Sequence, residues 1–223
     1  MNTPVRPEHS GLPTTVWLAS RSPRRLELLQ TLGLDVKVFL AQNSPEAEAL
    51  EAPLENEDPL LYVQRVTQLK LDTAIQAMRS QQLSGLVLAA DTTVALHGAI
   101  LGKPQNATEA LQMLQRLSNT THEVHTAVAG TWLNMNGSTN ATKNTVQTSH
   151  VEFAILPDHF IQAYIACGEP FDKAGAYGIQ GIAGQYVRHI SGSHSGIMGL
   201  PLFETSELMR HIQTVAQAAK RID

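Results

Sequence analysis

Val16-Trp17-Leu18-Ala19-Ser20-Arg21-Ser22-Pro23-Arg24-Arg25 passes from a short apolar run straight into a helix start, and that passage decides the fold class. Val16 to Ala19 reads as a buried strand. Ser22 takes the N-cap and Pro23 the first helical position, a common helix opening. Leu26, Leu28, Leu29 and Leu32 then form one side of a helix closed by Gly33. A helix N-terminus already carries about half a positive charge and exposed N–H donors, so acidic neighbours are favoured there. Here Arg24 and Arg25 occupy the first turn, with Arg21 just ahead. An anionic ligand would bring amides, hydroxyls and guanidiniums to one point. The plainer alternative is a surface helix whose arginines point into water.

Outward from this unit, Leu34 to Leu40 alternates as a strand, with Leu34, Val36, Val38 and Leu40 on one face. Residues 42–58 hold Glu46, Glu48, Glu51, Glu55, Glu57 and Asp58 without a basic residue, and read as an exposed loop with one carboxylate available to help hold a cation. Pro59 opens a helix to about Gln81, its apolar side carrying Leu61, Val63, Val66, Leu69 and Ile75. Leu86 to Ala90 reads as a strand buried on both faces, continued by Thr93 to Leu96, turned at His97-Gly98 and returned by Ile100-Leu101. A helix follows over Ala107 to Leu117, with Thr108 as its cap. Strands over Val124–Leu133 and Asn144–Leu156 are joined through Asn136-Gly137, a hairpin signal. Asp158 to about Cys167 is helical, and a glycine-rich stretch then runs from Gly168 to Gly199. Pro201 opens the last helix, with Leu202, Phe203, Leu208, Met209 and Ile212 inward. Strands mixed with helices, and a hairpin among them, predict an α/β fold on a mixed sheet rather than a doubly wound one.

The composition excludes several classes. With 223 residues and 43% apolar content the chain can bury a large core and is not disordered. Each apolar run is broken well short of a membrane span, and residues 1–15 lack the apolar core of a secretory signal, so they read as a flexible N-terminal extension outside the fold. The single cysteine, Cys167, cannot form an internal disulfide, which suits a reducing cytoplasm; it reads as a buried structural thiol. A net charge of −4 and 5% aromatic content do not support a face for nucleic-acid polymers. A few cations focused on one site suit a small anion instead.

Asp91 is the leading candidate for chemistry, because it follows an apolar run and so stands at the carboxyl end of a buried strand. Such a carboxylate has a fixed position and a tunable pKa, useful for metal binding or as a general base. It could equally cap the next turn through Thr92 or Thr93. Lys103, in Leu101-Gly102-Lys103-Pro104, is a phosphate contact or a surface charge, and Lys70 is one cation on a long helix. Gln180, between Ile179 and Gly181, offers a planar donor and acceptor suited to a pyrimidine edge, or is a loop glutamine in water. The 9 histidines form no metal signature, and no P-loop or dinucleotide fingerprint occurs.

Taken together, Leu18 to Arg25, Ala89-Ala90-Asp91-Thr92-Thr93-Val94, Leu101 to Pro104, Asp172 to Gly181 and Gly199-Leu200-Pro201-Leu202 resemble, in order, the motifs of the Maf-like nucleoside triphosphate pyrophosphatases. The resemblance runs from about residue 16 to 212 and implies an elongated mixed α/β fold in two lobes around a central cleft, similar to inosine triphosphate pyrophosphatases, so that residues 16–223 make a single domain. It implies hydrolysis between the α and β phosphates, with a divalent metal cation, Mg or Mn, as cofactor, and it allows a homodimer. By position, Asp91 resembles the proton acceptor and a metal ligand. Arg24, Thr92 and Gln180 resemble the residues that set base specificity, and Ser20, Arg25, Lys70 and Lys103 those that line the phosphate cleft. The Ala-Tyr-Gly-Ile-Gln-Gly form is similar to the dTTP- and UTP-hydrolysing subgroup. Where that family carries adjacent acidic residues after the second strand, this chain has Gln42-Asn43-Ser44, and Glu46 is the nearest substitute as a metal ligand. Two other classes stay open at this point: a nucleotide-binding regulator without turnover, and a cell-division interaction protein.

Overall fold

The computed structural model describes residues 11–41 and 50–219. The element order is β1 (Thr15–Leu18), α1 (Pro23–Thr31), β2 (Asp35–Val38), α2 (Pro59–Ser80), β3 (Gly85–Leu96), β4 (Ala99–Leu101) and α3 (Ala107–Leu117). It continues with β5 (Thr121–Leu133), β6 (Thr139–Phe153), α4 (Asp158–Ala166), β7 (Val187–Ser191), α5 (His194–Ile197) and α6 (Leu202–Ala219). The fold is mixed α/β on one 7-stranded sheet of order β2-β1-β3-β5-β6-β7, with β4 added beside β3. β1 runs parallel to β2 and β3, while β3, β5, β6 and β7 are successively antiparallel.

The long strand β3 organises the molecule. Its odd positions Val87 and Ala89 pack under α2 through Leu71, Ala74, Ile75 and Met78. The even positions Leu86, Leu88 and Ala90 pack against Leu28 and Leu29 of α1 and Leu208, Met209 and Ile212 of α6. A further apolar cluster joins the far end of β3 (Val94, Leu96) to Leu101, to Leu114 and Leu117 of α3, and to Ile161 and Tyr164 of α4. Along one edge, β3 pairs with β1 at Val87 and Leu88 and with β4 from Val94 to Leu96. Between those pairings Asp91, Thr92 and Thr93 have a strand neighbour only on the other edge, β5. The edge opens there because β1 leaves the sheet to enter α1, while the chain after β4 turns away at Gly102. A cleft between the two ends of the sheet follows from that gap.

Several expectations need correction. The extension assigned to residues 1–15 ends earlier: Leu12 is buried in the core, and β1 already begins at Thr15. After Val36 the inward side of the second strand changes. Phe39 is buried edge-on against Trp17 while Val38 and Leu40 are exposed, because the chain leaves β2 at Val38 and rotates. The cap of α3 is Asn106 rather than Thr108; the Asn106 carboxamide oxygen accepts from the Glu109 N–H at 2.9 Å, a reach that suits its short side chain. Leu61 and Phe203 point outward, since each lies about 200° around its helix from a buried residue two positions on, Val63 and Thr205. Cys167 is exposed at the end of α4 rather than buried. The glycine-rich stretch 168–199 holds short 3-10 turns, β7 and α5 that its sequence did not announce. His97 and Gly98 do make the turn, both with positive φ as a tight hairpin demands. Among the described residues no helix is long and apolar enough to cross a membrane.

Candidate active site

The gap in the β3 edge is the floor of a cleft of about 550 Å³. Adjacent strand residues face opposite sides of a sheet, so Asp91 emerges toward α2 and Thr92 toward α1. Because the edge is open, both reach the same cleft.

On the Asp91 side, the Lys70 ammonium of α2 donates to Asp91 Oδ1 at 2.6 Å and lies 3.1 Å from Glu51 Oε2. Two carboxylates therefore converge on one cation. Glu51 is held there by a strap: Arg65 donates to the carbonyls of Leu50 at 2.6 Å and Ala52 at 2.9 Å. The same guanidinium grips both Glu57 oxygens, at 2.6 and 2.7 Å. That grip holds the Glu57 carboxyl below the usual carboxylate range and pushes Arg65 up. Tyr62, one turn before Arg65 and partly buried, is pushed up to about 12, first by burial and then by the negative charge of Asp91 and Glu51.

On the Thr92 side, Arg25 of α1 forms the hub. Its Nε donates to Gly199 O at 2.8 Å, Nη1 to Ser20 Oγ at 3.2 Å and Nη2 to Thr92 Oγ1 at 3.2 Å. Removal from water pulls its pKa down; Asp91 opposes that and Arg24 adds to it. Ser22 holds the N-cap position of α1 without a side-chain cap bond, and no acidic residue enters the first turn. Arg24 reaches across the cleft to Asp172 Oδ2 at 3.3 Å. Asp172 Oδ1 in turn takes a short bond from Lys173, whose ammonium also donates to Glu169 O at 2.6 Å.

Opposite, Gly178, Ile179 and Gln180 of the glycine-rich segment line the cleft. Gly178 N–H donates to Tyr164 Oη at 3.2 Å, and Tyr164 donates to Glu169 Oε1 at 2.9 Å. A Cβ on Gly181 would stand 1.9 Å from that same Glu169 oxygen, so a larger residue there would have to displace the Glu169 carboxylate from its bond with Tyr164. Gln180 lines the cleft exposed, its amide without a partner among the described residues, and Lys103 lines it exposed from the chain after β4.

Of the residues singled out in the sequence, Ser20, Arg24, Arg25 and Lys70 meet Asp91, Thr92, Lys103 and Gln180 around this cleft. Glu46 lies outside the described residues. The described carboxylate of its segment that reaches the cleft is Glu51, one among many acids in a stretch with no periodicity to single it out. Asp172 stands in one of the sequence motifs, but its pairing with Arg24 joins residues 148 apart in the chain. Thr126 was not singled out at all; it bonds Thr92 at 2.9 Å only because β5 sets the two opposite one another. Among the described residues no three histidine, cysteine or acidic side chains gather as a metal-binding group. A cation here would rest on Asp91 and Glu51 with the ligand's own oxygens.

A family model described as Maf-like protein matches residues 15–212. A relative from Albidiferax ferrireducens, named dTTP/UTP pyrophosphatase, is 49% identical over 196 residues, covering 87% of this chain and 95% of the relative. One from Ralstonia nicotianae with the same name is 50% identical over 195 residues, covering 87% and 92%. One from Burkholderia pseudomallei, again so named, is 46% identical over 206 residues, covering 92% and 97%. A solved nucleoside-triphosphatase / dITP/XTP pyrophosphatase from Mycobacterium abscessus aligns at 17% identity and a TM-score of 0.36, covering 64% of this chain and 76% of that one.

Proposed function

The chain belongs to the Maf-like family, and we propose that it hydrolyses dTTP and UTP to the nucleoside monophosphate and diphosphate. The observation that carries this reading is the name dTTP/UTP pyrophosphatase, shared by relatives that are 49% and 50% identical over nearly their full length. The cleft is chemically suited to that substrate. A triphosphate carries close to four negative charges, and hydrolysis at its α phosphorus needs positioning and charge neutralisation more than covalent help. Arg25 spends three N–H groups on Gly199, Ser20 and Thr92 and keeps two for phosphate oxygens. Lys70 keeps its third proton after Asp91 and Glu51. Lys103 and the uncapped first turn of α1 add donors.

Asp91 is the general base. Fixed by Lys70 at the cleft floor, it orients the attacking water and takes its proton while the diphosphate leaves on the opposite side of the phosphorus. The two carboxylates around Lys70 are hard oxygen donors of the kind that hold Mg²⁺ or Mn²⁺ with few protein ligands, so the residues present fit a divalent cofactor. When bound, such an ion neutralises charge on the phosphate oxygens. Arg24, Thr92 and Gln180 face the base. An assembly as a homodimer and a cytoplasmic location are the expectations that accompany this reading.

Turnover of a panel of nucleoside triphosphates by the purified protein tests it. With Mg²⁺, dTTP and UTP should yield monophosphate and diphosphate in equal amounts, and chelation should stop the reaction until metal is restored. Orthophosphate as the first product, or binding without turnover, would overturn the proposal.

A further inference from the structure

The Thr92 hydroxyl is wired in one direction. Thr126, fully buried, donates its single proton to Gly196 O at 2.8 Å; a carbonyl can only accept, so that proton is committed. The Thr92–Thr126 bond of 2.9 Å must then be donated by Thr92. From the other side Arg25 Nη2 lies 3.2 Å from Thr92 Oγ1, and a guanidinium can only donate. Reversing the chain would leave Thr126 Oγ1 and Gly196 O 2.8 Å apart with no proton between them, a repulsive contact of lone pairs, even though Gly196 O also accepts from the Gly199 N–H at 2.9 Å. Both ends of the wire are anchored. Arg25 is held by Ser20 and Gly199, and Gly196 by its N–H bond to Ser193 Oγ at 3.0 Å.

A hydroxyl has one proton and two lone pairs. With the proton given to Thr126 and one lone pair taken by Arg25, Thr92 shows the cleft a single free lone pair. We propose that Thr126 is a positioning residue for base selection: it holds Thr92 as an acceptor, so that Thr92 reads the N3–H of uracil or thymine and opposes the bare N3 lone pair of cytosine. This rests on the pyrimidine reading of the cleft and adds the residue that enforces it. Thr126 touches no substrate; it acts through Thr92. Its position explains why: β3 and β5 pair Thr92 with Thr126 on one sheet face, and the short helix α5 sets Gly196 behind them.

The test is the ratio of kcat/KM for UTP over CTP, two substrates with the same sugar and phosphates. Thr126→Val keeps the volume and removes the acceptor, which frees the Thr92 proton to donate to cytosine N3. The ratio should fall about tenfold, chiefly through a gain or smaller loss for CTP. Thr126→Ser keeps the hydroxyl and should restore the wild-type ratio. In a Thr92→Val background, Thr126→Val should leave the ratio unchanged, since the wire then has no end in the cleft. If the valine buried against Gly196 O prevents folding, Thr126→Cys, a poor acceptor of similar size, should show the same fall. An unchanged ratio in folded Thr126→Val or Thr126→Cys, or an equal loss for both substrates, overturns the inference while leaving the pyrimidine reading standing. A wild-type enzyme that does not prefer UTP to CTP overturns both.

Discussion

At the scale of single residues, the proposed roles separate chemistry from recognition. Asp91 is tied to a lysine, whereas Gln180 has an amide with no partner among the described residues. Replacing Asp91 with Asn preserves shape and the capacity to bond Lys70 but removes the proposed base. Turnover should fall about 10²–10⁴-fold, the usual yield of a general base. Nucleotide affinity measured by calorimetry should change little; a variant that turns over at the wild-type rate would show that the base is another group. Gln180 predicts a different signature. Its planar amide can donate to the O4 of uracil, beside the N3–H that Thr92 takes and where cytosine presents an amine, and losing such a bond costs about 5- to 150-fold. Gln180→Ala should therefore cut kcat/KM for dTTP and UTP by that order and spare CTP. A uniform loss across bases would show that Gln180 supports the loop rather than reads the ring.

At the scale of elements, the strap before α2 and the approach of α6 to the sheet are the sensitive joints. Arg65 binds Leu50, Ala52 and Glu57 at once, and through them places Glu51 beside Lys70. Arg65→Ala should raise the Mg²⁺ concentration needed for half-maximal rate severalfold at a stability cost smaller than that of a core substitution, because Leu50 and Ala52, which it ties down, are exposed, although the Glu57 carboxylate it leaves unpaired is largely buried. The same joint has a pH sense. A carboxyl whose folded pKa is depressed stabilises above its unfolded value and loses that contribution as pH falls through the folded one. The Glu57–Arg65 grip therefore persists through neutral pH and loosens only below the ordinary carboxylate range. In β5, a Cβ on Gly130 would stand 2.7 Å from Leu88 Cδ2 and 3.0 Å from Leu208 Cδ2. Gly130→Ala should therefore push α6 off the sheet and cost about 1–3 kcal/mol, read by denaturant unfolding. A neutral result would mean that the Leu88 and Leu208 side chains yield freely.

At the scale of the whole molecule, the far cluster is built around His122, buried among Phe153 and Tyr177 and bonded to Tyr177 Oη at 2.8 Å. Burial pulls its pKa down to about 4. A histidine depressed on folding refuses a proton that the unfolded chain accepts. Its contribution is therefore complete above the unfolded value near 6.5 and is lost progressively as pH falls from there toward about 4. The shift corresponds to roughly 3 kcal/mol across that window. Stability of the wild type should drop by about that amount between pH 7 and pH 4, beyond the change seen in His122→Phe, whose ring packs on Phe153 without titrating. Equal slopes for the two proteins would remove His122 as the source. Since Tyr177 also lines the cleft, this loss should carry the base-facing loop with it.

The residue pattern alone determined the elements around the site. An apolar run followed by Ser-Arg-Ser-Pro makes a strand and a helix start, because the fixed φ of proline and the apolar pattern act within a few residues even though Ser22 makes no cap bond. The run before Asp91 likewise predicts a buried strand, and five spaced motifs in order pointed to the family. That the strand does not end at the carboxylate but continues to Leu96, with Asp91 at mid-strand, was decided by the unbroken pairing with β5. Where the pattern failed, the cause was contact between distant segments. Phe39 turned inward to meet Trp17, and β7 formed because β6 offered a partner edge. The acidic segment held no local signal that Glu51 would face Lys70; the Arg65 strap decided that. Asp91 and Thr92 point to opposite faces of β3 and meet one ligand space only because β1 and β4 part beside them. The direction of the Thr92 hydroxyl required β5 behind it. Short-range preferences are written in neighbouring residues, while an open strand edge and a hydrogen bond's direction exist only after distant segments pack.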